Sequence, residues 1–240
     1  MPSTRVFVLV HGGGHKAACW DSLVEGLARI GCRASTIDLP GHGRDPAADP
    51  EPRNLDHGIA AVVSHLRAID APVVLVGHSL GGMTISGVAE AVPDRIERLV
   101  YLSAFLPADG QSAGDISEQV GFNPDDLGYL TEDGMQIAVR LDRAHEVFYH
   151  DCGEDVSRKA VAALCNTDIG YLVTPVRLTE GRFGRLPKTF VACLSDKAID
   201  IGVQRKMIGS GGDIDVEELP SSHSPFLSMP DRLAELLNRL

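Results

Sequence analysis

Ser79 stands in the run Gly77-His78-Ser79-Leu80-Gly81, which fits the pattern Gly-x-Ser-x-Gly. A serine hydroxyl attacks a carbonyl carbon well only when a neighbouring base takes its proton and a sharp turn exposes its oxygen. The two glycines suit such a turn, because strand and helix backbones pass close on either side of the serine. The chemistry in view is acyl transfer, and the oxyanion it creates needs N–H donors. Leu80 N–H is one candidate donor, favoured by the positive end of the helix it opens. The second must come from another loop. His11-Gly12-Gly13-Gly14-His15 is the candidate, with Gly13 N–H first and Gly12 next. Two plainer readings compete. The serine run could be an ordinary strand-to-helix turn. The glycine loop could cradle a phosphate, but it lacks Gly-x-Gly-x-x-Gly and the Lys-Ser/Thr of a P-loop.

A serine of this kind is followed in the chain by its acid and then by its histidine. His223, in Ser221-Ser222-His223-Ser224-Pro225, lies between the last expected strand and the closing helix, where it can accept the Ser79 proton. Asp196, in Leu194-Ser195-Asp196-Lys197, is the expected acid, holding the tautomer of His223. Its competing role is an N-cap for the next helix. Asp200 is the fallback, and Glu217 and Glu218 sit within the last strand. The other histidines receive structural readings. His11 and His15 lie on a glycine loop and not on a helix face, which argues against a zinc pair. His78 reads as a packing residue; His42, His57 and His65 as loop or surface-helix residues; His145 and His150 as surface residues. No Cys/His/Asp cluster has metal-site spacing, so no cofactor is expected.

These residues need a scaffold, and the hydrophobic pattern supplies one. Arg5–Val10, Arg33–Asp38, Val73–Val76 and Arg98–Phe105 read as strands, the first and third of them buried. Helical spacing covers 17–30, 55–69 and 80–92 between them. Strand–helix alternation is the mark of a parallel sheet covered on both faces. The alternation then breaks. Residues 106–187 show no strong strand and hold short helical stretches such as Gln136–Phe148 and Val156–Leu164, so they read as an insertion over the sheet. A strand at Lys188–Leu194, a helix over Lys197–Ile208, a last strand at Asp215–Leu219 and a closing helix over Pro225–Leu240 complete the pattern. The division is a core of 1–105 and 188–240 with a lid at 106–187.

Composition narrows the class. The 240 residues are 44% hydrophobic and 23% charged, as in an ordinary globular enzyme. A net charge of −11 repels phosphate backbones and argues against nucleic-acid binding. No stretch approaches the roughly 20 apolar residues of a membrane span. The start carries no signal-peptide pattern, and the five cysteines lack pair spacing, which together suggest reduced thiols in a cytoplasm.

The blocks Phe7–His15 through Trp20, Gly77–Gly82, Ser195-Asp196-Lys197-Ala198-Ile199 with Gln204, and His223 with Pro225–Pro230 resemble the plant methylesterase and hydroxynitrile lyase family and its bacterial esterase relatives, within the α/β-hydrolase superfamily. The resemblance spans the core nearly end to end and the insertion only loosely. It implies an α/β-hydrolase fold that opens directly at the third strand of the wider fold. The sheet would be mostly parallel, of about six strands, with helices on both faces and a small helical lid. It places Ser79, Asp196 and His223 on the family triad, and Gly13 and Leu80 on its oxyanion donors. Family lyases resembling this chain carry a lysine directly after the histidine and a threonine after the first histidine. Here those positions are Ser224 and Gly12, which favours ester hydrolysis over cyanohydrin cleavage. The expectation is a carboxylesterase for small to medium apolar or aromatic acyl esters, with methyl esters open. A lyase and a non-catalytic small-molecule receptor of the same fold are the alternatives. Phe122, Tyr129, Phe148, Tyr149 and Tyr171 are expected to line the acyl pocket, with packing inside the lid as their competing role. The expected partner is a small-molecule ester, with no nucleic acid and no membrane; a homodimer is left open.

Overall fold

A computed structural model describes residues 5–240. The reading of the extreme N-terminus falls mainly on residues 1–4, outside the described residues.

The core sheet holds β1 (Val6–Val10), β2 (Arg33–Ile37), β3 (Val73–His78) and β4 (Ile96–Leu102) from the first half of the chain. The insertion supplies β5 (Gly128–Leu130), β6 (Gln136–Val139) and β7 (Thr167–Asp168), and β8 (Lys188–Cys193) and β9 (Asp215–Leu219) return to the core. The six core strands lie in the order β2-β1-β3-β4-β8-β9, and every neighbouring pair is parallel. Strand residues alternate between two buried clusters, as the pleat requires. Val8, Val10, Leu75, Leu99 and Phe190 belong to one, and Phe7, Leu9, Val74, Val100 and Val191 to the other.

Helices cover both faces. α1 (Asp21–Arg29), α2 (Leu55–Arg67) and α3 (Gly81–Ala91) belong to the first half; α4 (Ala113–Val120), α5 (Leu141–Phe148), α6 (Glu154–Ala162) and α7 (Gly170–Val173) to the insertion; and α8 (Ile201–Ser210), α9 (Pro225–Ser228) and α10 (Pro230–Arg239) to the end of the chain. Leu23 and Leu27 of α1 join Leu233, Leu236 and Leu237 of α10 on one face. Val62, Leu66, Ile85, Val88, Val203 and Met207 of α2, α3 and α8 cover the other.

Three local differences from the sequence expectation have physical causes. Gln136–Val139 is not the start of a helix but the middle strand of a small antiparallel sheet, β5-β6-β7. The Asp133-Gly134 turn folds β6 back on β5, with Gly134 at φ +69°. The helix over Lys197–Ile208 starts only at Ile201, because the Asp200 carboxylate caps it by accepting from Gly202 and Val203 N–H. The closing helix is broken between α9 and α10 at Pro230, which has no N–H to continue the hydrogen-bond ladder.

The insertion is tied to the core by a buried ion pair. The Asp168 carboxylate accepts from Arg44 Nε at 2.7 Å and Nη2 at 2.9 Å, from Arg53 N–H at 2.7 Å and from Gln136 Nε2 at 2.8 Å. Burial alone would raise the carboxyl pKa; these donors outweigh it and hold the group below its ordinary value.

Candidate active site

Ser79 follows β3 with φ +52°, in the left-handed region that costs a non-glycine residue on the order of 1–3 kcal/mol. The turn is held by Ser79 N–H on Leu102 O at 3.3 Å and by the Ser79 carbonyl, which accepts from Gly82 N–H at 3.1 Å and Phe105 N–H at 3.0 Å. A Cβ at Gly81 would stand 2.7 Å from His11 O, and one at Gly77 would stand 2.8 Å from Gly81 O. The steric demand read from the motif is therefore present at both glycines.

His223 and Asp196 meet after β9 and β8. His223 Nδ1 lies 2.6 Å from Asp196 Oδ2, and both side chains are buried. An ionised carboxylate can only accept, so Nδ1 carries the proton and Nε2 is left with its lone pair. The His223 ring packs on His78, with centroids 4.4 Å apart. His78 Nε2 in turn donates to His223 O at 2.9 Å, fixing the loop next to the serine. No hydrogen bond reaches the Ser79 hydroxyl among the described residues; such contacts commonly tighten only with substrate bound.

Asp196 is held on every side. Its Oδ1 accepts from Ala198 N–H at 2.7 Å and Ile199 N–H at 2.8 Å. Its Oδ2 also accepts from Ser103 Oγ at 2.5 Å. Gln204 spans the same loop, bonded to both backbone groups of Cys193 and to Ile199 O. Asp200, the fallback acid, is occupied as the α8 cap. Ser103 was not found in the sequence. It is buried at the end of β4 with φ +41°, the second non-glycine residue with positive φ among the described residues. No motif marks it; only the strand order, which sets β4 beside β8, brings it to Asp196.

The two candidate oxyanion donors face one cavity with Ser79. Gly13 and Leu80 line it, and among the described residues neither N–H has an acceptor. At Gly12 a Cβ would stand 2.7 Å from Ser79 Cβ, so its bare backbone lets the loop approach Ser79. His11 Nδ1 lies 2.9 Å from Gly12 O, and its Nε2 accepts from Leu39 N–H at 3.1 Å. His15 Nδ1 lies 2.8 Å from Gly13 O, and its Nε2 lies 2.8 Å from Tyr149 Oη. Burial pushes both imidazoles down to about 4, so they are neutral near pH 7.

The cavity has a volume of about 130 Å³ and a predominantly apolar lining that includes Phe105, Phe122, Ile137, Val139, Phe148 and Ile199. Among the described residues no charged side chain lines it. Of the five lid aromatics expected there, Phe122 and Phe148 are in place. Tyr129 is instead half exposed beneath the Arg140 guanidinium. Tyr149 is buried against His15, and Tyr171 is buried with its hydroxyl on Pro40 O at 2.7 Å. A ring with a polar tip is drawn to whichever carbonyl or imidazole can satisfy it.

The remaining histidines mostly take structural places. His57 completes the capping box of α2 with Asn54, and His145 bonds Ser157. His65 lies 2.8 Å from Ser35 Oγ. His42 departs from its expected loop-surface role. It is buried, edge-on to His11 and Tyr171. Among the described residues no group of three or more His, Cys, Asp or Glu could hold a metal, the cysteines are free, and no helix is long and apolar enough to cross a membrane.

Comparison with known proteins gives consistent matches. A family model described as alpha/beta hydrolase matches residues 7–236. A pyrethroid hydrolase of Sphingobium wenxiniae is 32% identical over 239 residues, covering 96% of this chain and 85% of that protein. A probable esterase of Oryza sativa subsp. indica is 31% identical over 254 residues, covering 98% and 95%. The crystal structure of a pyrethroid hydrolase from Sphingobium faniae superposes with a TM-score of 0.87 at 30% identity, covering 99% of this chain and 97% of that one.

Proposed function

Because the chain belongs to the alpha/beta hydrolase family, we propose that it is a carboxylesterase-type hydrolase that cleaves esters through an acyl-enzyme on Ser79. The observation that carries this reading is the buried His223–Asp196 contact of 2.6 Å, which makes Nδ1 the donor and so leaves Nε2 of the neutral ring free to accept a proton beside the strained Ser79 turn. Two relatives in sequence, a pyrethroid hydrolase and a probable esterase, are named for the same class of reaction.

Ser79 Oγ attacks the ester carbonyl as His223 Nε2 takes its proton. Asp196 steadies the resulting imidazolium. The carbonyl oxygen becomes an oxyanion between the Gly13 and Leu80 N–H groups, each worth about 3–4 kcal/mol to the transition state. His223 then protonates the departing alkoxide, and the alcohol leaves. Water, deprotonated by the same imidazole, attacks the acyl-enzyme and restores Ser79.

The substrate class follows from the cavity. With no charged residue lining it among those described and about 130 Å³ of space, the site suits small to medium apolar or aromatic acyl groups. Residues 106–187 act as the cap that closes this cavity over the core. A cyanohydrin lyase would need a cation for departing cyanide; the residue after His223 is the buried Ser224, which offers none.

The test is pre-steady-state hydrolysis of p-nitrophenyl butyrate. A burst of p-nitrophenol stoichiometric with enzyme is expected, together with labelling by a fluorophosphonate. Both should vanish in Ser79→Ala. An unchanged rate in that variant would refute the reading.

A further inference from the structure

We propose that Tyr149 and Thr167, both on the insertion, are positioning residues for the oxyanion loop: the segment that covers the acyl cavity also fixes the Gly13–Gly14 peptide, and with it the conformation of the Gly13 donor. This inference rests on the acyl-transfer reading of Ser79.

The loop cannot stiffen itself. Gly12, Gly13 and Gly14 are consecutive, and a glycine backbone loses more freedom on ordering than any other. A donor that must be preorganised therefore needs its peptide planes fixed from outside.

Two successive peptides are fixed. A peptide unit is planar and trans, so its C=O and N–H point in opposite directions and fixing one aims the other. The Gly12–Gly13 unit has its carbonyl on His11 Nδ1 at 2.9 Å, which turns Gly13 N–H the other way, toward the cavity. The next unit, Gly13–Gly14, is held at both ends. Its carbonyl accepts from His15 Nδ1 at 2.8 Å, and its N–H donates to Thr167 Oγ1 at 2.8 Å. With the planes on both sides of Gly13 fixed, its φ and ψ are set, and the chain turns on through Gly14 at φ +75°.

His15 can hold that carbonyl only in one tautomer. A carbonyl accepts, so Nδ1 must carry the proton and Nε2 must accept. Among the described residues the one partner of Nε2 is Tyr149 Oη at 2.8 Å, and burial pushes the phenol pKa up, so it remains a donor. The order is then Tyr149 O–H to His15 Nε2, and His15 Nδ1–H to Gly13 O. Both ends of this arrangement, Tyr149 after α5 and Thr167 in β7, lie on the insertion. Thr167 is anchored by its neighbour Asp168, which binds Arg44 across the boundary with the core.

The test compares Thr167→Val, which removes the acceptor at similar shape, Thr167→Ser, which keeps it, and Tyr149→Phe. The readouts are kcat and KM on p-nitrophenyl butyrate, and the affinities of a trifluoromethyl ketone and of the alcohol with the same carbon skeleton. Addition of Ser79 to the ketone creates an oxyanion; the alcohol fills the cavity without one. In Thr167→Val and Tyr149→Phe, kcat should fall about tenfold, short of the 100- to 1000-fold loss of a deleted donor, with KM within about twofold. Ketone affinity should fall in parallel while alcohol affinity holds, and Thr167→Ser should recover most of the loss. Equal weakening of ketone and alcohol would mean that these residues only shape the cavity, and would overturn the proposal. So would a kcat unchanged in both Thr167→Val and Tyr149→Phe. Failure of the function reading is separately visible, as a wild-type protein that neither hydrolyses the ester nor takes the fluorophosphonate.

Discussion

Replacing Asp196 by Asn exchanges one carboxylate oxygen for an NH2 group, and the structure dictates which way the amide must lie. Oδ1 accepts two backbone N–H groups, from Ala198 and Ile199, at 2.7 and 2.8 Å. An NH2 group there would face two donors with nothing to accept it, leaving buried groups unsatisfied at about 1–3 kcal/mol each. The amide oxygen therefore stays with the backbone, and the NH2 turns toward His223 Nδ1. It can only donate, so His223 must shift its proton to Nε2. That tautomer cannot take the Ser79 proton. A wrong-tautomer histidine lowers kcat by about ten-thousandfold, equivalent to about 5.5 kcal/mol of barrier. The assay is kcat on p-nitrophenyl butyrate at pH 7.5, with circular dichroism to verify the fold. Asp200→Ala is the control. It removes the α8 cap, with a loss of about 1 kcal/mol in stability, and should leave kcat within about twofold. An Asp196→Asn enzyme within tenfold of wild type would refute the reasoning. So would an Asp200 variant that lost as much activity.

Further outcomes follow from the buried groups. His11 and His15 are held down to about 4 by burial, whereas an unfolded histidine titrates near 6.5. The unfolded chain thus binds protons first as pH falls, and stability is lost from pH 6.5 downward. Urea unfolding should give a stability lower by about 2 kcal/mol per histidine at pH 5 than at pH 7.5; an equal or higher value at pH 5 would contradict it. Arg44→Met leaves Asp168 buried without its ion-pair partner and should cost about 3–5 kcal/mol, read as a lowered urea midpoint. Ala113→Leu projects into the cavity of about 130 Å³ and should lower kcat/KM on p-nitrophenyl octanoate at least about tenfold while sparing the acetate.

The parts legible in the sequence are those that local pattern controls. Runs such as Val6–Val10 and Val73–Val76 are apolar at every position because both faces of a parallel sheet are covered, and they appear as strands in place. Gly77 and Gly81 announced a close backbone approach, and the structure has one. The hairpin β5–β6 was missed because its four-residue second strand is too short for a period of two to stand out, and Val139, Arg140 and Arg143 continue at helical spacing. Asp133-Gly134 was the signal that could have found it. The lid tyrosines were misplaced for another reason: composition does not say where a hydroxyl finds its partner, and Tyr149 and Tyr171 follow theirs away from the cavity. Ser103 was illegible in principle, since its partner Asp196 lies 93 positions away and meets it only through sheet order.

The strand order also has a kinetic meaning. β4 and β8 are neighbours in the sheet, yet residues 103–187 lie between them in the chain. Ser79 belongs to the half-sheet formed by β1 to β4; Asp196 and His223 follow β8 and β9. Non-local pairing of this kind is slow, because a long loop must close before its contacts repay the ordering. The first half-sheet can gather Ser79 and the glycine loop early. His223 and Asp196 arrive only when β8 docks on β4, and Ser103, at the end of β4, receives Asp196 as it does so. During refolding, the return of hydrolysis therefore times the closing of that seam, while far-ultraviolet dichroism times the helices and strands that precede it.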